Sequence, residues 1–397
     1  MKQKIVAAGM LVAGLLLMAA SIDPGLPKGY WHKPAATAGS PPARWSELEA
    51  NLHPEACGQC HEAQFDAWKD SLHAHAYSPG MIGQFPAMGY QKANGCLACH
   101  APLAEQAFPD DKSMRHSMKP GLEHDSGFDR EADIDRATLP LRHAGVTCAA
   151  CHVRGWQRFG PPPKGGSATG HLDAPAHGGF VATRAFEQSG FCASCHQFPQ
   201  SKSINGKPLE NTLTEWKNSS FGEKGITCQQ CHMPGRRHEF RGIHDPEMVR
   251  KGLDIALLRQ ADGARLRMTS KWIGHAFPTY VTPEVIVRAE ALNAAGKVLQ
   301  NWQWEVGREV AYDRGWKELR DTRLMPGEKR DFTASPLPAA TARVHYRITV
   351  VPDKFYQGVY RRLLSADMTS QARAHIKRAA RRAAKGDYLL FDGFITI

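Results

Sequence analysis

The sequence has no cysteine outside five copies of one short motif, C-x-x-C-H. The copies are CGQCH at 57–61, CLACH at 96–100, CAACH at 148–152, CASCH at 192–196 and CQQCH at 228–232, and together they contain all ten cysteines. A zinc ribbon or a disulfide framework gives no reason for a histidine to follow every second cysteine. The lack of any leftover cysteine therefore argues against both uses.

The spacing of these motifs, numbered 1 to 5 in chain order, is typical of c-type haem attachment. Two thiols three residues apart can add to the two vinyl groups of one porphyrin, and the next histidine lies under the ring as the proximal iron ligand. We therefore predict five covalently bound haem c groups. The predicted attachment residues are Cys57, Cys60, Cys96, Cys99, Cys148, Cys151, Cys192, Cys195, Cys228 and Cys231. The predicted proximal ligands are His61, His100, His152, His196 and His232.

The motifs leave little protein for each haem. Between residues 57 and 232 there are about 35 residues per motif, too few to enclose every cofactor in its own hydrophobic core. We expect the haems themselves to supply the apolar core, tethered by irregular chain. Closely packed haems also form a conduction path, which predicts an electron-transfer protein.

Two kinds of specialised ligand are missing as well. All five motifs end in His, so there is no C-x-x-C-K site of the nitrite-reductase type. No methionine-bearing ligand loop follows a motif, and Met233 directly follows a proximal histidine, so it cannot reach back over the same ring. Nineteen histidines are present, which leaves enough outside the motifs for a second histidine on every iron. Such bis-histidine haems have lower reduction potentials than His/Met haems.

Five histidines outside the motifs are predicted as distal ligands from their context. His73 follows a stretch with helical spacing, His143 precedes motif 3, His238 and His244 follow motif 5, and His275 lies in the loop WIGHAFPTYVTP. In that loop a glycine would let the backbone approach a porphyrin, and a proline would limit the conformational freedom lost on ligation. The roles of His75, His116, His124, His171 and His177 stay open, and His32, His345 and His375 are predicted to be structural.

The N-terminus predicts export across a membrane. Lys2 and Lys4 precede an apolar run from residue 5 to 22, which ends at Asp23. Residues 1–25 are thus a cleaved signal peptide or an uncleaved membrane anchor, since eighteen apolar residues are just long enough to span a bilayer. Either alternative predicts that the rest of the chain lies in the periplasm. Ten cysteines there would be oxidised to disulfides unless haem were attached to them.

The rest of the chain predicts an α+β protein. Residues 26–50 are a flexible linker rich in Pro, Ala and Gly, and residues 51–250 form a loop-rich, mostly helical haem domain. A helix-like stretch, PEMVRKGLDIALLRQA, leads from the haem domain into segments with β alternation. Residues 260–365 form a small antiparallel β-sandwich-like domain, followed by a basic helix and tail at 366–397.

The formal charge of +11 is discounted as a sign of nucleic-acid binding, because five haems would bring ten propionates. The basic C-terminal helix is interpreted as a solvated face, with docking to an acidic redox partner as the alternative. Donor and acceptor proteins are expected as partners but not identified. Two functions remain as alternatives to electron transfer. One is an oxidoreductase with an open-coordination haem acting on a small nitrogen or sulfur substrate, and the other is a membrane-anchored, quinol-oxidising cytochrome.

Several runs of sequence together resemble a known family. The runs are CLACHAPLAEQ, GVTCAACHVRG, FCASCHQF, EWKNSSFGEKGITCQQCHMPG, RHEFRGIHDP and GHAFPTYVTP. Over roughly residues 50–360 they resemble the periplasmic multihaem cytochromes c related to the tetrahaem cytochrome c of ammonia oxidisers. The resemblance implies bis-histidine haems in stacked and perpendicular pairs, a distal role for His275 and a β domain packed on the haem domain. This sequence departs from that pattern in having five motifs rather than four, and in having Tyr280 where a glycine often follows GHxFPT.

Overall fold

A computed structural model describes residues 25–37, 39–118, 138–166, 168–312 and 314–397. The predicted leader, apart from Gly25, and the open candidate His124 lie outside the described residues. Within these ranges no helix is both long and apolar enough to cross a membrane.

The helices are short and fall mainly in the N-terminal two thirds of the chain. They are α1 Glu47–Ala50, α2 Pro54–Gly58, α3 Glu62–Lys69, α4 Pro79–Ile82, α5 Phe85–His100, α6 Asp111–His116, α7 Cys148–His152, α8 Ser189–His196, α9 Thr212–Lys217, α10 Ser220–Glu223, α11 Cys228–His232, α12 Pro246–Gly252, α13 Lys354–Ser365 and α14 Ser370–Lys385.

The strands fall into a few short pairs among these helices and a longer set that follows them. They are β1 Val153–Arg154, β2 Gln157–Gly160, β3 Gly170–Leu172, β4 Phe180–Ala182, β5 Ser203–Ile204, β6 Lys207–Pro208, β7 Leu253–Arg259, β8 Ala264–Ser270, β9 Glu284–Leu292, β10 Val298–Tyr312, β11 Trp316–Asp321, β12 Lys329–Ala334, β13 Arg343–Val351 and β14 Tyr388–Thr396.

Short capped helices present the haem motifs. Motifs 3 and 5 fill α7 and α11, and motifs 2 and 4 end α5 and α8. The Thr147 hydroxyl accepts the Ala150 N–H at 3.2 Å before motif 3, and the Gln230 side chain accepts the Thr227 N–H at 2.7 Å in motif 5. Each cap satisfies an otherwise unpaired amide and contributes about 1 kcal/mol. Helical spacing then places the two cysteines and the histidine of a motif on adjoining turns.

The later strands form two antiparallel sheets that share one core. The larger sheet has the order β11-β10-β9-β13-β14 and the smaller one the order β12-β8-β7. Burial alternates along β8 and β13, as expected for strands with one face on a core. Leu266 and Met268 of the small sheet pack in one cluster with Val287, Tyr346 and Ile348 of the large sheet. Burying a side chain of this size stabilises the fold by roughly 1.5–3 kcal/mol. The predicted α+β class is confirmed.

Two segments near the sheets differ from the sequence prediction. The stretch predicted as one helix after residue 245 is helical only over α12, and from Leu253 it continues as β7, paired with β8. The predicted C-terminal tail is strand β14, paired with β13 over its length. In both cases pairing with a neighbouring strand outweighs the local helical pattern, which carries no information about distant partners.

The predicted flexible linker is also different, because much of it packs on the haem domain. The Tyr30 side chain is 4% exposed, and its hydroxyl donates to the Cys151 carbonyl at 2.5 Å. The Arg154 guanidinium lies over the Tyr30 ring at 4.3 Å. Ala35 forms a β-bridge with Leu103. Aromatic burial and backbone pairing therefore order this Pro/Ala/Gly-rich segment.

Candidate haem-binding centre

A continuous cavity of about 2180 Å³ joins the five motifs. All ten motif cysteines and all five motif histidines line it. Pockets for a single small ligand are usually about 300–1,000 Å³, so this cavity is too large for one such ligand. Its lining comes from both the haem domain and the β-sheet region, including the His275 loop.

The donor set in the cavity fits five haem c groups. All ten cysteines, each within the described part of the chain, carry free thiols. Every motif thus keeps the two sulfurs needed for thioether bonds, and its histidine stands at the same cavity wall. Cofactors in this space would replace the side-chain core that the short interval between motifs cannot supply.

Thiols of different motifs lie against each other. Cys148 of motif 3 donates to Cys57 of motif 1, which lowers the pKa of Cys57 and raises that of Cys148. Cys192 of motif 4 and Cys228 of motif 5 form a similar pair, in which the pKa of Cys228 is lowered to about 6. Motif 1 therefore adjoins motif 3, and motif 4 adjoins motif 5.

Motif 2 joins this set through motif 4. A hydrogen bond from Cys195 of motif 4 lowers the pKa of Cys99 of motif 2 to about 5. The Lys33 ammonium bridges the same two motifs, donating to the Cys99 sulfur at 3.0 Å and the Ser194 carbonyl at 2.7 Å. Motif 4 is thus next to both motif 2 and motif 5.

Three motif histidines face a second histidine across the cavity. Ring centroids are 6.1 Å apart for His196 and His73, 6.2 Å for His152 and His238, and 6.2 Å for His232 and His275. A metal–imidazole bond is about 2.0–2.1 Å, and the ring centre lies roughly 1 Å behind the ligating nitrogen. Two imidazoles on opposite sides of one iron would thus have centroids ~6 Å apart. The three pairs have the spacing of bis-histidine sites.

Hydrogen bonds behind the rings fix which nitrogen faces the cavity. A backbone carbonyl can only accept a hydrogen bond, so a histidine whose Nδ1 contacts one must carry its proton on Nδ1. Its Nε2 is then unprotonated and available to bind a metal. The contacts are His100 with Ala76 O at 3.0 Å, His152 with Phe159 O at 2.7 Å, His232 with Arg241 O at 2.6 Å, His238 with Arg236 O at 3.0 Å and His275 with Ala276 O at 3.0 Å.

Burial keeps several of these rings neutral, which is the ligating form. Desolvation lowers the pKa of His73 to about 3 and the pKa values of His152 and His232 to about 4. It also lowers the pKa of His238 and of His275. A metal would therefore not have to displace a proton from any of these five imidazoles near neutral pH.

His196 has a carboxylate behind it instead of a carbonyl. Its Nδ1 lies 2.9 Å from Glu210 Oε1. Burial alone would lower the pKa of His196, but the hydrogen bond and charge of Glu210 outweigh burial and raise it. A carboxylate partner makes the ring a stronger electron donor to a bound metal. The sequence gives no sign of this pair, since Glu210 lies in an unremarkable loop.

A buried ion pair supports the His275 loop. Glu215 on α9 accepts from the Ala276 N–H at 3.2 Å and from the Arg323 guanidinium at 2.9 Å. Arg323 also donates to Asp321 at 2.8 Å. A Cβ added to Gly274 would stand 3.2 Å from Phe221 Cβ, so this glycine allows the loop to pack closely on α10. The haem domain thus holds the loop that carries His275.

Two predicted distal ligands have other surroundings. His143 is buried and packs on Tyr77 with ring centroids 4.9 Å apart, and it is not part of the cavity wall. His244 reaches the cavity, but its Nε2 lies 3.1 Å from Asp353 Oδ2. These contacts place His143 against Tyr77 and His244 against Asp353. Closeness to a motif in sequence is a weak guide, because the side chain can turn to a different neighbour.

The histidines whose roles the sequence left open differ in whether they reach the cavity. His75 and His177 line the cavity, and His177 is near enough to His61 of motif 1 for their charges to interact. His171 lies outside the cavity wall with its Nε2 3.4 Å from Asp173. His116 ends α6, also away from the wall.

Comparison with known proteins agrees with this donor set. The family described as "Cytochrome c554 and c-prime" matches residues 56–123, which include motifs 1 and 2. The crystal structure of a penta-heme cytochrome c552 from Thermochromatium tepidum superposes with a TM-score of 0.56 at 18% sequence identity, covering 89% of this chain and 100% of that chain. The chain resembles multihaem c-type cytochromes. No curated protein matches it.

The two matches cover different lengths of the chain and support different conclusions. The family match is one of sequence but covers about a sixth of the chain. The structural match covers most of the chain but, at this low identity, concerns the fold alone. Together with five attachment motifs on one cavity, they support covalently bound haem c in a multihaem cytochrome fold.

Proposed function

We propose that this protein is a periplasmic c-type cytochrome that holds five haem c groups and relays electrons between redox partners. One observation carries the proposal: every motif cysteine and histidine lines the same cavity. Separate haem pockets would isolate the cofactors from each other. A shared cavity instead keeps them close together, as a relay requires.

The chain's own residues have distinct tasks in this proposal. The cysteine pairs would hold the cofactors covalently, and the motif histidines would supply one ligand for each iron. His73, His238 and His275 would supply a second histidine at motifs 4, 3 and 5. Bound haem supplies reversible one-electron chemistry. Backbone carbonyls behind the histidines hold the ring orientation so that little reorganisation accompanies a change of charge.

Contacts between motifs support an electron relay rather than five isolated redox centres. Motif 4 adjoins motifs 2 and 5, and motif 1 adjoins motif 3. Cys192 in motif 4 also lies close enough to Cys151 of motif 3 for that thiol to raise its pKa. The five attachment sites therefore form one connected set in which motif 4 adjoins motifs 2, 3 and 5.

The proposal also includes the cellular location of the protein and its relation to a known family. Export is supported by the apolar leader and by the need to attach haem to reduced thiols outside the cytoplasm. A relation to the tetrahaem cytochromes of ammonia oxidisers is supported by the motif order and by the position of His275 opposite a motif histidine, since the resemblance implied a distal role for His275.

Redox titration of the purified holoprotein, followed by optical and electron paramagnetic resonance spectroscopy, tests the function. A relay predicts reversible reduction of all five haems and a majority of low-spin irons. Mostly high-spin irons with rapid substrate turnover would favour the oxidoreductase alternative instead.

A further inference from the structure

Helices α13 and α14 carry an unusual concentration of positive charge. Residues 354–385 contain nine Lys and Arg but a single acidic residue, Asp367. They account for most of the chain's formal excess of +11. The rest of the chain carries only +3 (11 − 8), so the positive charge of this protein is concentrated in this segment.

The charges of α14 are separated from its buried face. The buried residues of this helix are Ala372, His375, Ile376, Ala379 and Ala383. Lys377, Arg381 and Lys385 recur every four residues and are exposed, so they form a stripe along the opposite side. Because the apolar face is already covered by protein, the helix has no free apolar face to insert into a lipid surface.

Helix α13 adds a second row of exposed basic residues beside this stripe. Gln357 donates to the Ala383 carbonyl at 3.0 Å, and Arg373 donates to the Leu364 carbonyl at 2.6 Å. The two helices are therefore antiparallel, and the exposed Arg361 and Arg362 of α13 lie near the level of Lys377. We call Arg361, Arg362, Lys377, Arg381 and Lys385 the basic ridge. Within the described residues none of the five has a carboxylate at ion-pair distance.

The basic ridge lies beside the haem cavity. Arg381 and Lys385 belong to the cavity wall as well as to the exposed surface. Behind the ridge, Ala372 on the buried face of α14 packs in one apolar cluster with Leu97 of motif 2. Surface charge and a haem attachment site are thus separated by a single helix.

We propose that the basic ridge docks an acidic redox protein, which exchanges electrons with the haem of motif 2. This inference rests on the proposed function and adds the class of partner and the place of contact. A one-sign patch without internal ion pairs attracts an oppositely charged protein and raises the rate of encounter by about 10–1,000-fold at low salt. Placing that patch over a haem site brings the partner's redox centre close to the first acceptor.

Pairing with haem propionates does not explain the whole ridge. Arg361, Arg362 and Lys377 are not part of the cavity wall, so they face solvent rather than a cofactor. These three residues allow a test that leaves the cavity wall intact. The test variant is Arg361→Gln/Arg362→Gln/Lys377→Gln.

A matched control removes the same charge elsewhere. Arg259, Lys297 and Lys329 are exposed residues of the β-sheet region, at β7, the β9–β10 turn and β12. Their triple change to Gln lowers the net charge equally, so it reports on overall charge alone. Stopped-flow reduction of each holoprotein by an acidic plant-type [2Fe–2S] ferredoxin is measured at about 10 mM and 100 mM salt, where the Debye length falls from ~30 to ~10 Å.

The ridge variant should react about five- to tenfold more slowly than wild type at low salt and lose most of its salt dependence. The control variant should stay within about twofold of wild type, and dithionite should reduce all three proteins alike. Equal rates for the ridge and control variants would overturn the inference, as would loss of haem or shifted potentials in the ridge variant. Failure of dithionite to reduce the wild-type haems would instead overturn the proposed function.

Discussion

The imidazole rings of His232 and His275 face each other across the cavity with centroids 6.2 Å apart and planes within 11° of parallel. The first belongs to motif 5, and the second comes from the loop before β9. Their Nδ1 atoms contact the carbonyls of Arg241 and Ala276, which leaves both Nε2 atoms available to hold an iron. One haem would thus join the haem domain to the sheets.

Replacing His275 tests this link. His275→Ala should convert one haem of five from low-spin to high-spin, because it removes one axial ligand but no attachment residue. It should also make the C-terminal region more sensitive to proteolysis. Electron paramagnetic resonance of the oxidised variant measures the first effect. His345→Ala is the control, since His345 lies on β13 paired with Asp392 at 3.0 Å, and an unchanged low-spin count in His275→Ala would show a structural role only.

The buried Glu215–Arg323 pair should be needed for the stability of the same loop. Both side chains are almost fully buried, and removing one partner of a buried ion pair typically costs about 3–5 kcal/mol. Glu215→Leu should therefore lower the free energy of unfolding by roughly that amount and raise the high-spin fraction of one haem. Denaturant titration and resonance spectroscopy check the two effects. Glu247→Leu, at an exposed position, should change neither, and equal stability of the two variants would refute the prediction.

Glu210 should lower the reduction potential of the motif 4 haem. Its carboxylate hydrogen-bonds to the Nδ1 of His196 and so strengthens electron donation to the iron. Glu210→Gln should raise the potential of one haem and leave the other four nearly unchanged in a redox titration. Glu223→Gln removes an exposed carboxylate of α10 and should leave the titration curve as in wild type. A titration curve for Glu210→Gln that overlays wild type would contradict this assignment.

The residues proposed to bind haem could be predicted from the sequence more completely than the residues that hold them in position. The C-x-x-C-H spacing is local, so the residues proposed for haem attachment and proximal ligation could be identified from the sequence alone. His73, His238 and His275 were also predicted, and the structure places each opposite a motif histidine. Glu210 and the Glu215–Arg323 pair could not be predicted, because their partners are brought together only by folding.

The same distinction holds for the fold. Alternating hydrophobic residues predicted most strands of the β region. The ordering of Tyr30 and Ala35 depends on contacts more than 60 residues away in sequence, and composition suggested a linker instead. Strand β14 likewise depends on pairing with β13. His143 and His244 were predicted from position alone, and tertiary contacts direct them to Tyr77 and Asp353.

A relay should not turn over small substrates quickly. Three of the five motif histidines already face a second histidine, so at most two iron positions would be open to nitrite or hydroxylamine. Steady-state assays with reduced or oxidised dye mediators should show only trace activity with either compound. Turnover at tens per second, near the typical enzyme value of about 10 per second, would favour the oxidoreductase alternative.

We propose that five haems are covalently held by the ten cysteines of this cavity. The intact mass of the mature protein after acid denaturation measures that number directly, because thioether-bound haem remains on the chain while any non-covalent haem is lost. The predicted mass is that of the mature polypeptide plus five haems, and Cys57→Ser/Cys60→Ser should remove one of them. A fully matured protein carrying four or fewer haems would contradict the account.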